Sequence, residues 1–338
     1  MLAEVGLGGP LVREVRVWVV TPSFRDVQSF LILRERILSI AKGDANLQRL
    51  EFQFVFVDDT AGADVEVDQL AGLDDVHLVD PPFNLGHQRA IVYGIRMMMS
   101  RFEDDDVIVT MDSDGEDRPE DLPQLIAPHL TSAAHHPQIV LARRTKREES
   151  IKFRLLYTCF RLLFRTLTGT TVRSGNYASY QVRLARRVLQ HPYFDLCYSS
   201  TLVSLGLDIE SVPCPRGTRY AGRSRMNLLR LLMHGIRMLM PFTDRIAVRA
   251  LAAFTAIFGL GILSAIVVVG IRVFTTAAIP GWTTFTLMSI LLMSFVALGN
   301  FVVLFAVFSH SRGISLSNLE ELNGKPSRGA STTSDRQL

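Results

Sequence analysis

The sequence predicts an α/β protein, built on a mostly parallel sheet with helices on both faces and followed by a hydrophobic helical hairpin. Three observations predict it. Short β-rich runs alternate with helical stretches over the first two-thirds of the chain. Two of those runs end in acids, Asp58-Asp59 and Asp112-x-Asp114, at the carboxyl ends of strands, where sites in parallel sheets gather. Two long uncharged runs close the chain, and the mean hydropathy of +0.22 is high for a soluble protein.

Residues 1–14 are expected to be a flexible tail, and Met1–Pro10 lacks the basic flank of a cleavable signal. Val15–Val20 reads as a strand ending at Thr21-Pro22-Ser23, and Leu31, Leu33, Ile37, Leu38 and Ile40 mark an amphipathic helix. Phe52–Val57 and Val76–Val79 read as further strands, and a helix runs from the Asn84–Arg89 region through Met99. Val107–Met111 is a short buried strand that runs into Asp112-Ser113-Asp114-Gly115-Glu116-Asp117. Arg118-Pro119-Glu120-Asp121 opens a helix with Pro in its first turn. Ile139–Ala142 is another strand, followed by Arg143-Arg144-Thr145-Lys146-Arg147. Phe153–Leu167 is a helix with Arg154, Arg161 and Arg165 near one face. Gly175-Asn176-Tyr177 is expected in a short irregular stretch before an Arg183–Leu189 helix. Asn227–Met240 is a Leu/Met-rich helix with Arg230, His234 and Arg237 on one face, broken by Pro241.

Ala250–Ile271 carries no charge over 22 residues. At ~1.5 Å per residue this is about 33 Å of helix, a bilayer core's thickness. A second uncharged run, Val273–Ser309, turns at Ile279-Pro280-Gly281, has Trp282 as an interface anchor and leaves a span of Thr286–Phe308. Arg219, Arg223, Arg225, Arg230, Arg237, Arg245 and Arg249 precede the first span and Arg312 follows the second, so both flanks are expected to be cytoplasmic, with Arg272 the exception.

Four acids in six residues repel one another unless a cation or solvent neutralises them. Asp112 and Asp114 share a face in a regular strand. Hard carboxylate oxygens suit Mg²⁺ or Mn²⁺, ions that usually also hold a substrate's phosphates. The chain has only four Lys, so its basic residues are nearly all Arg, which grips phosphate and carboxylate with two hydrogen bonds. Cys159, Cys197 and Cys214 have no metal-ligand spacing and read as ordinary thiols in a reducing compartment.

VVTPSF (19–24), FVFVDDTAGAD (54–64), NLGHQRAI (84–91), VIVTMDSDGEDRPEDL (107–122), ARR (142–144), SGNYASYQVRLARRVL (174–189) and RYAGRSRMN (219–227) resemble, in this order, the motifs of family 2 glycosyltransferases. The chain most resembles the polyisoprenyl-phosphate branch, similar to dolichol-phosphate mannose synthases and bacterial undecaprenyl-phosphate glycosyltransferases, over about residues 15–310. The resemblance implies a GT-A fold: a Rossmann-like, mostly parallel sheet with amphipathic juxtamembrane helices and a transmembrane hairpin. It divides the chain into a tail (1–14), a cytoplasmic catalytic domain (15–226), a juxtamembrane helix (227–245), two transmembrane helices (246–309) and a disordered cytoplasmic tail (310–338).

The resemblance also implies a nucleotide-sugar donor (UDP or GDP), a polyisoprenyl phosphate acceptor, Mg²⁺ or Mn²⁺, an inverting displacement, and a multi-pass protein of the inner (plasma) membrane with no nucleic-acid partner. Family members often assemble, so a homo-oligomer is an open expectation. Carried over, Pro22, Asp58 and Asp59 belong to the nucleoside pocket, and Asp112 and Asp114 to the metal and diphosphate, with Glu116 near the metal. Arg143 falls on the donor side, and Arg147, Arg219 and Arg225 with the acceptor or its phosphate. Departures are DDTAGAD, which lacks the usual Gly-Ser, Arg25-Asp26 where Asn-Glu is common, and Asn176 where many members have Asp. Asn cannot accept a proton as a carboxylate does; a phosphate acceptor is already ionised and tolerates that, whereas a hydroxyl acceptor needs a base, for which Asp117 is the candidate. A glycosyltransferase acting on a lipid or glycan hydroxyl, and a membrane-tethered nucleotide-sugar-binding subunit without turnover, are the two rival readings.

Overall fold

The computed structural model describes residues 15–131, 138–145, 151–171, 174–220, 228–276 and 281–309. The two expected tails, Arg147, Arg225 and residues 279–280 of the expected turn lie outside the described residues. The chain divides into two compact units: Met1–Phe160 with Val172–Pro241, and Arg161–Thr171 with Phe242–Leu338.

In the first unit the elements run β1 (Arg16–Ser23), α1 (Val27–Gly43), β2 (Glu51–Asp58), β3 (Val76–Val79), α2 (His87–Met98), β4 (Val107–Thr110), α3 (Leu122–Leu130) and β5 (Ile139–Arg144). Then come α4 (Ile151–Thr168), which crosses into the second unit, and β6 (Ser174–Gln181), α5 (Val182–Val188), α6 (Tyr198–Ser204), β7 (Ile209–Cys214) and α7 (Leu228–Leu239). Among the described residues the strands form one sheet, ordered β3-β2-β1-β4-β6-β5-β7. β3, β2, β1 and β4 are parallel, β5 and β7 are parallel, and β6 is antiparallel to both its neighbours.

Both faces are covered, which explains why the strands read as continuous apolar runs. Alternate residues divide between the layers. Val17 and Val19 of β1, Phe54 and Phe56 of β2, and Val107 and Val109 of β4 pack with Phe30, Leu33 and Ile37 of α1 and Leu122, Leu125 and Ile126 of α3. Trp18 and Val20, Val55 and Val57, and Ile108 pack with Ala90, Ile91 and Ile95 of α2, and with Tyr198 and Leu202 of α6.

One expectation is corrected. Gly175-Asn176-Tyr177 is not irregular but opens β6, between β4 and β5. Gly and Asn disfavour strands, yet cross-strand pairing on both sides overrides that local preference. β7 and α6 were not foreseen; Pro213 and Glu210 obscure the first, and four Ser and Thr the second.

The second unit holds α8 (Thr243–Phe274) and α9 (Trp282–Ser309). The described chain has two helical stretches long and apolar enough to cross a membrane, Leu232–Phe274 and Trp282–Leu304, the first extending back over α7. Only 11% and 6% of their apolar windows are buried, so neither is the core helix of a soluble domain. The two helices approach closely at Gly261, where a Cβ would lie 2.6 Å from Ser294 Oγ. Arg249 donates to the carbonyls of Arg165 (3.3 Å) and Thr166 (2.6 Å), closing the last turn of α4. The fold class is the one expected: a mostly parallel α/β sheet followed by a pair of long apolar helices.

Candidate active site at the carboxyl edge of the sheet

β1, β2 and β4 run parallel, so Asp58 and Asp112 emerge on the same edge. β6 runs the other way and therefore begins on that edge. Thr110 lies across from Ala178, so two residues further along Asp112 lies across from Asn176. The Asn176 amide donates to Asp112 Oδ1 at 3.4 Å. Its Oδ1 accepts from Gln88 Nε2, and Gln88 Oε1 is held by the Ser199 amide at 3.0 Å.

His87, the first residue of α2, places Nε2 2.9 Å from Asp112 Oδ1. Burial pushes the Asp112 carboxyl up, but His87, with Arg144 and Asn176, outweighs it and brings the group down to about 2. Burial likewise pulls the His87 imidazole down, and Asp112 outweighs it, so its pKa is raised.

Asp114 accepts from the Glu116 amide (2.9 Å) and pairs with Arg219 (2.9 Å); burial and the neighbouring Asp112 raise its pKa. Glu116 is bound by Arg216 (2.6 Å) and Arg219 (2.8 Å), and Arg144 lies 3.5 Å away. Burial pushes Glu116 up, but these arginines hold it below the usual range. Asp117 is 5% exposed and accepts from the Asp112 amide (3.0 Å) and Arg144 (3.2 Å). Burial, reinforced by Asp112, pushes its carboxyl up to about 7.

Gly115 permits this arrangement. Its φ is +89°, and a Cβ there would lie 2.8 Å from the Thr218 carbonyl and 2.8 Å from the Tyr220 ring. The segment carrying Arg216 and Arg219 is stitched to the acids by Gly217 N–H to Glu116 O (2.9 Å) and Tyr220 N–H to Asp114 O (2.8 Å).

The structure thus brings together Asp112, Asp114, Glu116, Asp117, Asn176 and Arg219. Asp58 and Asp59 lie on the same edge, but their carboxylates already have partners. Asp58 accepts from Thr60 Oγ1 (2.7 Å), and Asp59 accepts from the amides of Leu85 (2.6 Å) and Gly86 (2.9 Å), fixing the loop before α2. Pro22 pairs in register with Val57, one residue before Asp58. Arg144, not Arg143, reaches the acids, because neighbouring side chains on a strand face opposite ways. Arg143 Nε is buried with no hydrogen-bond partner among the described residues.

Four contributors were not singled out from the sequence: His87, Gln88, Arg144 and Arg216. Strand parity with the inward Val140 and Ala142 is the signal that selects Arg144. Arg216 follows β7, whose strand character is masked, and so carried no signal.

Among the described residues, no three His, Cys, Asp or Glu side chains converge as a metal cage. Asp112 and Asp114 nevertheless fit an ion that keeps one or two protein carboxylates and completes its shell with water and substrate phosphates, the habit of Mg²⁺. Both oxygens of Glu116 are engaged by arginines.

Comparison with known proteins places the chain in a family. The chain is 26% identical over 301 residues (84% of this chain, 86% of the relative) to the undecaprenyl-phosphate 4-deoxy-4-formamido-L-arabinose transferase of Proteus mirabilis. It is 23% identical over 255 residues (73% and 76%) to the uncharacterized glycosyltransferase YkcC of Bacillus subtilis. Among solved structures, glucosyl-3-phosphoglycerate synthase from Mycobacterium tuberculosis, in complex with Mn²⁺, UDP and glucosyl-3-phosphoglycerate, aligns with a TM-score of 0.44 and 18% identity, covering 69% of this chain and 80% of that one. The family model of glycosyl transferase family 2 matches residues 18–189, just over half of the 338 residues and all of the acidic edge. The chain belongs to glycosyl transferase family 2.

Proposed function

We propose that this glycosyltransferase moves a sugar from a nucleotide-sugar to a polyisoprenyl phosphate at the cytoplasmic leaflet, inverting the anomeric centre. One observation carries the choice of acceptor. The carboxylate nearest to a general base, Asp117, is sealed behind the Asp112 amide and Arg144, and the residue facing Asp112 is Asn176. A site whose candidate carboxylate base is sealed suits a nucleophile that arrives ionised, as a phosphate monoester does with its second pKa near ~6. The name of the Proteus mirabilis relative, an undecaprenyl-phosphate transferase, supports the same acceptor class. The two long apolar stretches support a membrane location.

In the reaction an acceptor phosphate oxygen forms a bond to the sugar C1. The bond from C1 to the donor's diphosphate breaks, and the nucleoside diphosphate leaves with the electron pair. No proton need be removed. Asp112 and Asp114 would hold a divalent cation, which would supply positive charge to the departing diphosphate. Arg219, 2.9 Å from Asp114 and 2.8 Å from Glu116, holds these two acids in place beside the donor. His87 and Asn176 hold Asp112 oriented. Arg144 and Arg216 keep Asp117 and Glu116 neutralised, so that the acids do not repel the donor.

Incubating the purified chain with labelled UDP- and GDP-sugars and undecaprenyl phosphate tests the reading. The expected product is a lipid-linked sugar that mild acid releases. An acid-stable glycolipid would instead identify a hydroxyl acceptor and overturn it.

A further inference from the structure

A cavity of about 120 Å³ opens beside the acidic site, well above the ~10–15 Å³ one water needs. Its walls include the first turn of α2 (His87, Gln88, Arg89), Cys197, and His234 and Arg237 of α7. No acidic residue lines it. Neither Arg89 nor Arg237 has a carboxylate partner among the described residues. His87 belongs to both places: it lines the cavity, and its Nε2 lies 2.9 Å from Asp112.

α7 has two faces. His234 and Arg237 line the cavity, while Leu232, Met233 and Ile236 of α7 and Met240 just after it are exposed at 42–59%. Gly235 seats the helix closely, since a Cβ there would lie 2.9 Å from the Phe160 ring. An exposed apolar stripe backing a basic cavity fits a molecule with a hydrocarbon chain and an anionic head.

We propose that this cavity binds the phosphate monoester of the lipid acceptor, with the hydrocarbon following the apolar stripe of α7. The assignment rests on the phosphate-acceptor reaction and adds the place where the acceptor's charge sits. Arg219 is an unsuitable holder for that phosphate, because its guanidinium is spent on Asp114 and Glu116. The cavity instead sets the nucleophile next to the residues that hold the donor's diphosphate, separated from Asp112 by one imidazole. The uncapped N-terminus of α2 adds a partial positive charge to the same wall.

Full-length protein in detergent, saturated with donor, provides the test. Arg237→Gln and His234→Gln are each expected to raise the KM for undecaprenyl phosphate about tenfold or more, while the donor KM stays within about twofold. Arg237→Lys, which keeps the charge, recovers most of the loss. Inorganic phosphate competes with the lipid in the wild type and competes more weakly against Arg237→Gln. An unchanged acceptor KM in both Gln variants, with the wild type active, overturns the cavity assignment alone. A wild type that transfers to no lipid phosphate overturns the reaction beneath it. Inorganic phosphate that binds as tightly as undecaprenyl phosphate overturns the lipid assignment.

Discussion

Asp117 is a carboxylate whose surroundings oppose its charge. Its folded-state pKa of about 7 lies above the ordinary 3.8, so between those values the folded chain holds a proton that the unfolded chain has released. Stability therefore falls as pH rises through that window, by the amount this group contributes. In metal-free buffer, Asp117→Asn is expected to flatten the fall in melting temperature between pH 3.8 and about 7. An unaltered slope in the variant would contradict the burial argument. Gly115 makes a second case at this scale. Its φ of +89° and the close Thr218 carbonyl both resist a side chain. Gly115→Ala should cut transfer about tenfold or more, through lost placement of Arg216 and Arg219. Wild-type turnover by that variant would show that the 215–220 segment need not close on the acids. Both residues were visible in the sequence as members of DSDGED, but their opposite jobs were not. Charge and spacing are written in the chain, whereas which acid is sealed and which is open depends on β5 and the segment after β7.

Among the elements, β6 decides where the site lies. It alone among the described strands runs against its neighbours, and this brings Asn176 to the edge where β4 delivers Asp112. A parallel β6 would have carried Asn176 to the far end. The strand's Gly-Asn opening hid it, since pairing on both flanks, not propensity, makes it a strand. β1 and β4 are fixed at the opposite edge by Asp106, buried and accepting from Trp18 Nε1 (3.0 Å), the Arg16 amide (3.3 Å) and the Glu103 amide (3.0 Å). Asp106→Ala leaves these donors unmatched and should destabilise the protein by about 1–3 kcal/mol. Chemical denaturation checks this, and a change below ~0.5 kcal/mol would mean that water replaces the carboxylate. The apolar runs of β1, β2 and β4 were legible because each strand is buried on both faces, and the two long helices because their apolar stretches carry no charge. β7 and α6 were not, because polar residues interrupt theirs.

At the scale of the whole molecule, the chain joins two physical regimes. The first unit buries its apolar residues in two layers around one sheet, while the second exposes long apolar helices that water does not favour. The proposed reaction, with a polar donor and an amphipathic acceptor, suits an enzyme so built. The domain plan and the acceptor class remain part of the proposal, and both depend on Asp112 and Asp114 holding the donor's diphosphate through a cation. Calorimetric titration of UDP and GDP into the purified protein, with and without Mn²⁺, measures that dependence directly. The account predicts that the wild type binds one of the two nucleotides only with the cation present, and that Asp112→Asn combined with Asp114→Asn weakens this binding about 100-fold or more. Equal affinity in the wild type and the double variant, or binding indifferent to the cation, would contradict it.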